Sequence, residues 1–396
     1  MRLSKLSVLL LVVLLMLSSG CIFGSKEYTI SGTVLDEDDK PIDGVVIQIT
    51  GGTTATVDKL TNGKWSASVK GTVTVTPVHE DYEFTPKSLE VKKADEKVNF
   101  VGKKLDIYSL AGTVVDENDN PLSNVKIKIT GQVEREVEVD ENGKFEIKDL
   151  RGTINLQPIS YDFDNMYFFE SVEVSEATTD LKLVGNYGIR ALYNFEEVTD
   201  NTIIDSSKSG NNATLEGDAT VSEGILSLDG ENAYVNLPAE IVSDLDNFTI
   251  SFLVNVKEIR AWSRFFDLAG PYGFFYMTPL GLDDSTMVTV LTNESSIYGP
   301  DLIATDFTID LISANKWILI TVVVSDKELA VYYDDQLIGT IEAHAQPKDV
   351  GGTFDNYIGK SIFDADPYLY ADFKDFRIYT NALTADQVSA LYSLTE

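Results

Sequence analysis

The chain has one cysteine, Cys21, and two histidines, His79 and His344. A single thiol excludes an internal disulfide and any metal site built on several cysteines. Two histidines in different segments leave no His-rich zinc site and argue against a histidine-centred triad. Cations are scarce as well: 31 Lys and Arg stand against 63 Asp and Glu, a formal net charge of −32. That balance argues against nucleic acid or an anionic membrane surface as the main partner. No Gly-x-Ser-x-Gly elbow, His-Glu-x-x-His helix or phosphate loop is present. His79-Glu80-Asp81-Tyr82-Glu83 lacks the second histidine of a zinc protease. The acids are scattered through turns, so they read first as solvated surface, with cation binding in some turns as the sharper alternative.

What is there is enough for packed cores: 396 residues, 43% hydrophobic, a length that suggests two or three domains. Residues 1–21 stand apart. Arg2 and Lys5 precede an apolar run over 8–17, shorter than the roughly 20 residues a spanning helix needs. Leu17-Ser18-Ser19-Gly20-Cys21 then resembles a prokaryotic lipobox, with Leu17 one place early. The resemblance implies lipidation of Cys21, which becomes the mature N-terminus and anchors the protein at the cell membrane or cell surface, extracytoplasmically. An ordinary signal peptide or a buried free cysteine are the alternatives. Residues 22–27 read as a tether.

Two similar segments follow, 28–104 and 105–185. ISGTVLDEDDKPIDGVVIQIT (30–50) is echoed by LAGTVVDENDNPLSNVKIKIT (110–130), 80 positions on. Asn62-Gly63-Lys64-Trp65 maps at the same offset onto Asn142-Gly143-Lys144-Phe145. Val45, Ile47, Ile49 and Val125, Ile127, Ile129 alternate with period two, and Asn-Gly before an aromatic residue signals a hairpin. About seven short strands per segment predict a small β-sandwich. The motifs resemble the carboxypeptidase regulatory-like, or transthyretin-like, domain and more distantly the Cna-B stalk domain. Neither first strand holds the lysine that a stalk isopeptide bond requires. The acidic loops at 36–39 and 116–120 read as polar turns before proline, without the EF-hand ligand ladder.

Residues 187–396 form the largest block. ALYNFEE (191–197), DSSKSGNNATLEG (205–217) and LSLDGENAYVNLP (226–238) open it, and ADFKDFRIYTNALTADQVSALY (371–392) closes it. Between them FTISFLVNV (248–256) places Phe248, Ile250, Phe252 and Val254 on one face of a strand. WILITVVVSDKELAVYYDDQLIGT (317–340) reads as consecutive hairpins, with Gln336 where a glycine is usual. Thr384 and Gln387 form a capping box for a short helix facing inward through Val388 and Leu391. These stretches resemble the LamG-like jelly roll of the concanavalin A-like lectin/glucanase superfamily. The whole chain is thus expected to be all-β, two small Ig/transthyretin-like sandwiches followed by a concanavalin A-like jelly roll.

The resemblance implies a structural calcium site, for which Glu196, Asp205, Asn211 and Asp372 are the candidates. The plainer alternative has Asp205 and Asn211 making Asx turns and Asp372 paired with Arg377 or a lysine. It also implies a sugar surface, because flat C–H faces of sugars lie on aromatic rings while hydroxyls take Asn, Asp and Arg. The candidates are Trp262, Arg264, Phe274, Tyr276, Tyr298 and Tyr368, with Tyr272 and Tyr357 beside them and GPYGFFYMTPLG (270–281) as the loop of most interest. In Trp262-Ser263-Arg264-Phe265-Phe266 the phenylalanine pair reads as core and the arginine as bordering the binding face. The superfamily's glucanases carry a Glu-x-Asp-x-x-Glu strand, and this sequence has none. The expectation is therefore a surface lipoprotein that is not an enzyme. Its last domain binds a polysaccharide or glycoconjugate, and the two repeats are spacers. A protein-binding or structural surface domain is the first alternative, and an enzyme with unrecognised carboxylates is the second.

Overall fold

A computed structural model describes residues 27–93, 97–281, 285–292, 303–325, 328–342 and 346–395. Cys21 and Tyr298 lie outside the described residues. Strands dominate, with a single α-helix, Ala385–Tyr392, among the described residues. None of the described helices is long and apolar enough to cross a membrane. Two compact units divide the chain at Ile107 and Tyr108.

The first unit holds one small sandwich. One sheet orders Lys64–Lys70, Glu27–Asp36, Phe100–Lys104 and Tyr82–Thr85; the other orders Ala55–Val57, Val46–Gly51, Val73–Val78 and Leu89–Val91. Ile30, Val34, Ile47, Ile49, Trp65, Val73 and Val75 fill the space between them. Asn62 and Gly63 both take positive φ in the hairpin, 51° and 71°, as a tight primed turn requires. Gly32 has a different reason: a Cβ there would sit 1.7 Å from the Val98 carbonyl oxygen.

The second unit begins with a sandwich of the same strand order. Lys144–Arg151, Ile107–Asp116, Thr178–Tyr187 and Tyr167–Phe169 face Arg135–Glu138, Val125–Gly131, Ile154–Ser160 and Val172–Val174. In both sandwiches the first strand runs parallel to the last, Val34 opposite Phe100 and Val114 opposite Leu183. The acidic loops are Asx turns. Asp36 accepts the N–H of Asp38 and Lys40, and Asp116 accepts those of Asn118 and Asn120.

The jelly roll follows in the same unit. Its first sheet orders Thr220–Ser222, Ile225–Asp229, Tyr370–Tyr379, Phe248–Glu258, Trp317–Ser325, Glu328–Tyr333 and Gln336–Glu342, with Ile189–Tyr193 also on Tyr370–Tyr379. The second sheet has nine described strands and runs from Val198–Thr199 through Tyr234–Asn236, Asp355–Ile358, Phe266–Gly270 and Gly273–Thr278 to Ile303–Ile309. Phe248, Ile250, Phe252 and Val254 are fully buried between the sheets. Phe252 touches the rings of Phe265, Phe266, Phe373 and Phe376. The Asp334-Asp335 turn manages without a glycine because Asp334 itself takes φ 57°.

The outer face of the first sheet is covered. Leu319, Val323, Ala330 and Tyr379 pack with Val388 and Leu391 of the helix and with Phe163 and Met166 of the preceding sandwich. Several polar groups along this seam are bonded, although Asp375 Oδ1 has no hydrogen-bond partner. Arg377 donates to the Phe163 carbonyl at 3.0 Å and to Asp164 at 2.9 Å, and Gln387 donates to the Ser160 carbonyl at 2.8 Å. Thr384 and Gln387 make the reciprocal cap that starts the helix.

Candidate functional site

Strand alternation sorts the nine-stranded sheet into inward and outward rows. Val235, Ile358, Phe266 and Met277 lie side by side on four neighbouring strands, and all four are fully buried in the core. One residue along, the outward row reads Asn236, Tyr357, Asp267 and Tyr276. Rings and polar groups alternate across it.

A loop over 359–369 folds back on this row, closed by the Leu369 N–H on the Gly359 carbonyl. Ile362 N–H donates to Asp267 at 3.1 Å, and Phe363 meets Phe274 edge-on at 5.7 Å. Asp366 accepts from Arg264 at 2.9 Å and from Ser361 at 2.7 Å. This cover explains why Phe274 and Tyr276 are only 7% and 6% exposed. Arg264 is 1% exposed, its guanidinium 4.0 Å above the Tyr276 ring and also bonded to the Trp262 carbonyl. Trp262 holds φ 65°, an unusual conformation for a bulky residue.

Asp267 is completely buried, 3.4 Å from Arg264 Nε, and the contact lacks hydrogen-bond geometry. Arg264 Nε and Asp267 Oδ1 have no hydrogen-bond partner. Burial pushes the Asp267 carboxyl up to about 7, against the opposing pull of Arg264.

At the other end of the patch, three tyrosines gather. Tyr234 lies 5.6 Å from Tyr357 and 6.1 Å from Tyr368, ring to ring. Lys360 Nζ sits 4.6 Å over Tyr234 and 4.5 Å over Tyr357. The Tyr357 hydroxyl donates to Asp355 at 3.0 Å, and all three rings are half-buried. Burial, then Asp355, raises the Tyr357 hydroxyl above the usual phenol range. At the hairpin tip, Tyr272 rests on Gly351 and Phe354 on Gly352; these two rings are 48% and 62% exposed.

Of the expected sugar residues, then, Arg264, Phe274 and Tyr276 come together but are buried, so they support the face and do not offer rings to a ligand. Trp262 packs beside them half-buried, and Tyr368 belongs to the tyrosine group. Tyr234, Lys360, Asp267 and Asp366 were not expected. Tyr234 carried a signal, since it alternates with core Val235. The loop GKSIFDADPYLY carried the same mixture of aromatic, Gly and Pro residues that marked 270–281.

The four calcium candidates are not gathered into a ligand set. Asp205 accepts from the N–H of Leu192, Ser207 and Asn211 and from the Ser207 hydroxyl, at 2.8–2.9 Å. Those four bonds use its lone pairs. Asn211 donates to the Arg190 carbonyl, Glu196 is exposed, and Asp372 pairs with Lys257 at 2.6 Å and Ser227 at 2.8 Å. Among the described residues no three His, Cys, Asp or Glu side chains are grouped to hold a metal.

Residues 229–389 match the family model described as the concanavalin A-like lectin/glucanases superfamily, and the two-sheet jelly roll has that fold. Domain 4 of AbnA, an extracellular arabinanase from Geobacillus stearothermophilus solved with arabinotriose, is 20% identical over 52% of this chain and 98% of its own, TM-score 0.42. A structure of botulinum neurotoxin type C, whose cell entry is dependent upon interaction with two ganglioside molecules, is 19% identical over 53% of this chain and 51% of its own, TM-score 0.41. The serotype G binding domain is 19% identical over 52% and 51%, TM-score 0.41. The chain spans about half the length of these neurotoxin structures. A search of curated proteins returned no match.

Proposed function

We propose that residues 187–396 bind a polysaccharide or glycoconjugate without catalysis, on the outer face of the nine-stranded sheet around Tyr234, Tyr357, Tyr368, Lys360 and Trp262. The observation that carries this reading is the half-buried tyrosine group beside bonded polar side chains. Rings held in place by Lys360 and Asp355 offer preorganised faces for sugar C–H groups, and Asn236 and Asp355 offer hydroxyl partners. Catalysis on this face is disfavoured by burial: Asp267, the carboxyl of the face with an acid-like shift, is sealed under Ile362 and cannot touch a substrate. The domain is delivered outside the cell on a lipid at Cys21. Exchange of Cys21 for Ser is expected to release the protein from the membrane pellet, and unchanged detergent partitioning contradicts the anchor.

A protein partner is the second reading. It is favoured by Tyr272, Phe354 and the 39%-exposed Phe363, apolar rings beyond what a sugar face needs. Screening the protein on a glycan array, with and without calcium, separates the two. Binding to at least one plant, bacterial or host glycan class is expected. No glycan bound, together with capture of a purified surface protein, sinks the carbohydrate reading.

A further inference from the structure

A cavity of about 340 Å³ lies in the second unit, where the second small sandwich meets the 205–211 loop of the jelly roll. That is the lower end of the roughly 300–1,000 Å³ found for small-molecule sites. Its wall is polar and bears charges of both signs: Asp116 and Asp162 on the sandwich, Lys208 on the jelly-roll loop, with Ser160 and Asn165 between.

Each group is held in place by bonds that do not use it up. Lys208 Nζ donates to the Tyr167 hydroxyl at 2.9 Å and rests 5.3 and 5.1 Å from the Tyr167 and Tyr187 rings. No carboxylate lies within ion-pair distance of it among the described residues, so two of its three N–H donors are uncommitted. Asp162 accepts the Asn165 N–H through Oδ1 at 3.1 Å, leaving Oδ2 unbonded among the described residues. Asp116 is buried and fixed by Asn118 and Asn120, and the Asn120 amide keeps its carboxyl below the ordinary range. Tyr167 in turn raises Lys208, so both signs persist at neutral pH.

We infer that this cavity binds a small zwitterion of the α-amino acid class, its carboxylate on Lys208 and its ammonium on Asp162, with Asp116 behind. A separated cation and anion across one polar cavity match a ligand carrying the opposite pair. A neutral sugar leaves the lysine and carboxylate unmatched, and a simple anion meets two carboxylates of its own sign. The site shares no lining residue with the proposed carbohydrate face.

Titration calorimetry of the full chain with the L-amino acids tests it, with their N-acetyl methylamides and glucose as uncharged comparisons. Saturable binding of one or more free amino acids is expected, and no binding of the uncharged compounds. Asp162→Asn and Lys208→Met should each weaken that binding about ten-fold or more, since each removes a charged hydrogen-bond partner. Lys208 also braces two tyrosines, so its variant is read only alongside an unchanged melting temperature; Asp162→Asn, at a half-buried position that holds no other element, carries the test otherwise. Absence of binding at millimolar amino acid, equal binding of the uncharged analogues, or wild-type affinity in Asp162→Asn overturns the inference.

Discussion

The two outer faces of the jelly roll each set an arginine between two carboxylates, Arg264 buried and Arg377 half-buried with Asp164 exposed, and they use it differently. On the first sheet, Arg377 lies on the seam with the second sandwich. It is bonded to Asp375 at 2.7 Å, to Asp164 at 2.9 Å and to the Phe163 carbonyl, beside a continuous apolar cluster. On the second sheet, Arg264 meets Asp366 well and Asp267 poorly, with its Nε unbonded, under a single loop. The same strand alternation thus yields a seam covered by a neighbouring sandwich on one side and an aromatic-rimmed face under one loop on the other; Asp375 Oδ1 on the first and Asp267 Oδ1 and Arg264 Nε on the second have no hydrogen-bond partner. Buried polar groups left short of partners are uncommon enough to mark places shaped by something besides stability.

The largest effect should come from breaking the covered seam. Arg377→Met strips the partner from Asp375, a carboxyl that burial already pushes upward, and frees Asp164 and the Phe163 carbonyl. Removing one member of a buried ion pair costs about 3–5 kcal/mol. Chemical denaturation of the variant should show a loss of that size, and the second sandwich should become protease-sensitive at Phe163 and Met166. A loss under about 1 kcal/mol would mean the seam is held by apolar packing alone. The second sandwich is fastened to the jelly roll through this seam.

The open face predicts a smaller effect of another kind. Alanine at Tyr234, Tyr357 or Tyr368 should weaken glycan binding about five-fold each, near 1 kcal/mol per ring. Alanine at Tyr332, buried on the seam side, should leave glycan affinity unchanged while lowering the melting temperature. If the two sets behave alike in binding, the tyrosine group is structural and the contrast between the faces disappears.

The inward face of the jelly roll was legible because its signals are local. Phe248, Ile250, Phe252 and Val254 recur at period two, and the capping box of Thr384 and Gln387 spans three residues. The site was legible only in part. Trp262 and Tyr368 could be named from composition, but what covers Phe274 and Tyr276 depends on a loop some 90 residues further on. Arg264 and Asp366 are separated by 102 positions, and nothing local pairs them. The calcium set shows the converse. Asp205 and Asn211 were found correctly as loop residues, yet Asp205 spends its lone pairs on the N–H groups of Leu192, Ser207 and Asn211 and on the Ser207 hydroxyl, a use that a list of oxygen ligands does not reveal.

The sharpest test of the contrast itself concerns Asp267, through pH and not through a lost contact. Burial raises its folded carboxyl to about 7, whereas in the unfolded chain it titrates near the ordinary value of about 3.9. Between those values the folded state holds a proton that the unfolded state has released. The stability this confers is complete below about pH 4 and is lost as pH rises to about 7. An amide at this position mimics the protonated carboxyl, so Asp267→Asn should change stability by less than about 1 kcal/mol near pH 3.5, where the carboxyl is mostly protonated in the folded and the unfolded chain alike. At pH 8 the variant should be the more stable of the two, because it no longer ionises a buried group that Arg264 meets only at 3.4 Å. Urea denaturation at the two pH values reads the difference directly. A variant that loses more stability at pH 8 than near pH 3.5 would show that Arg264 and Asp267 form a net-favourable ion pair.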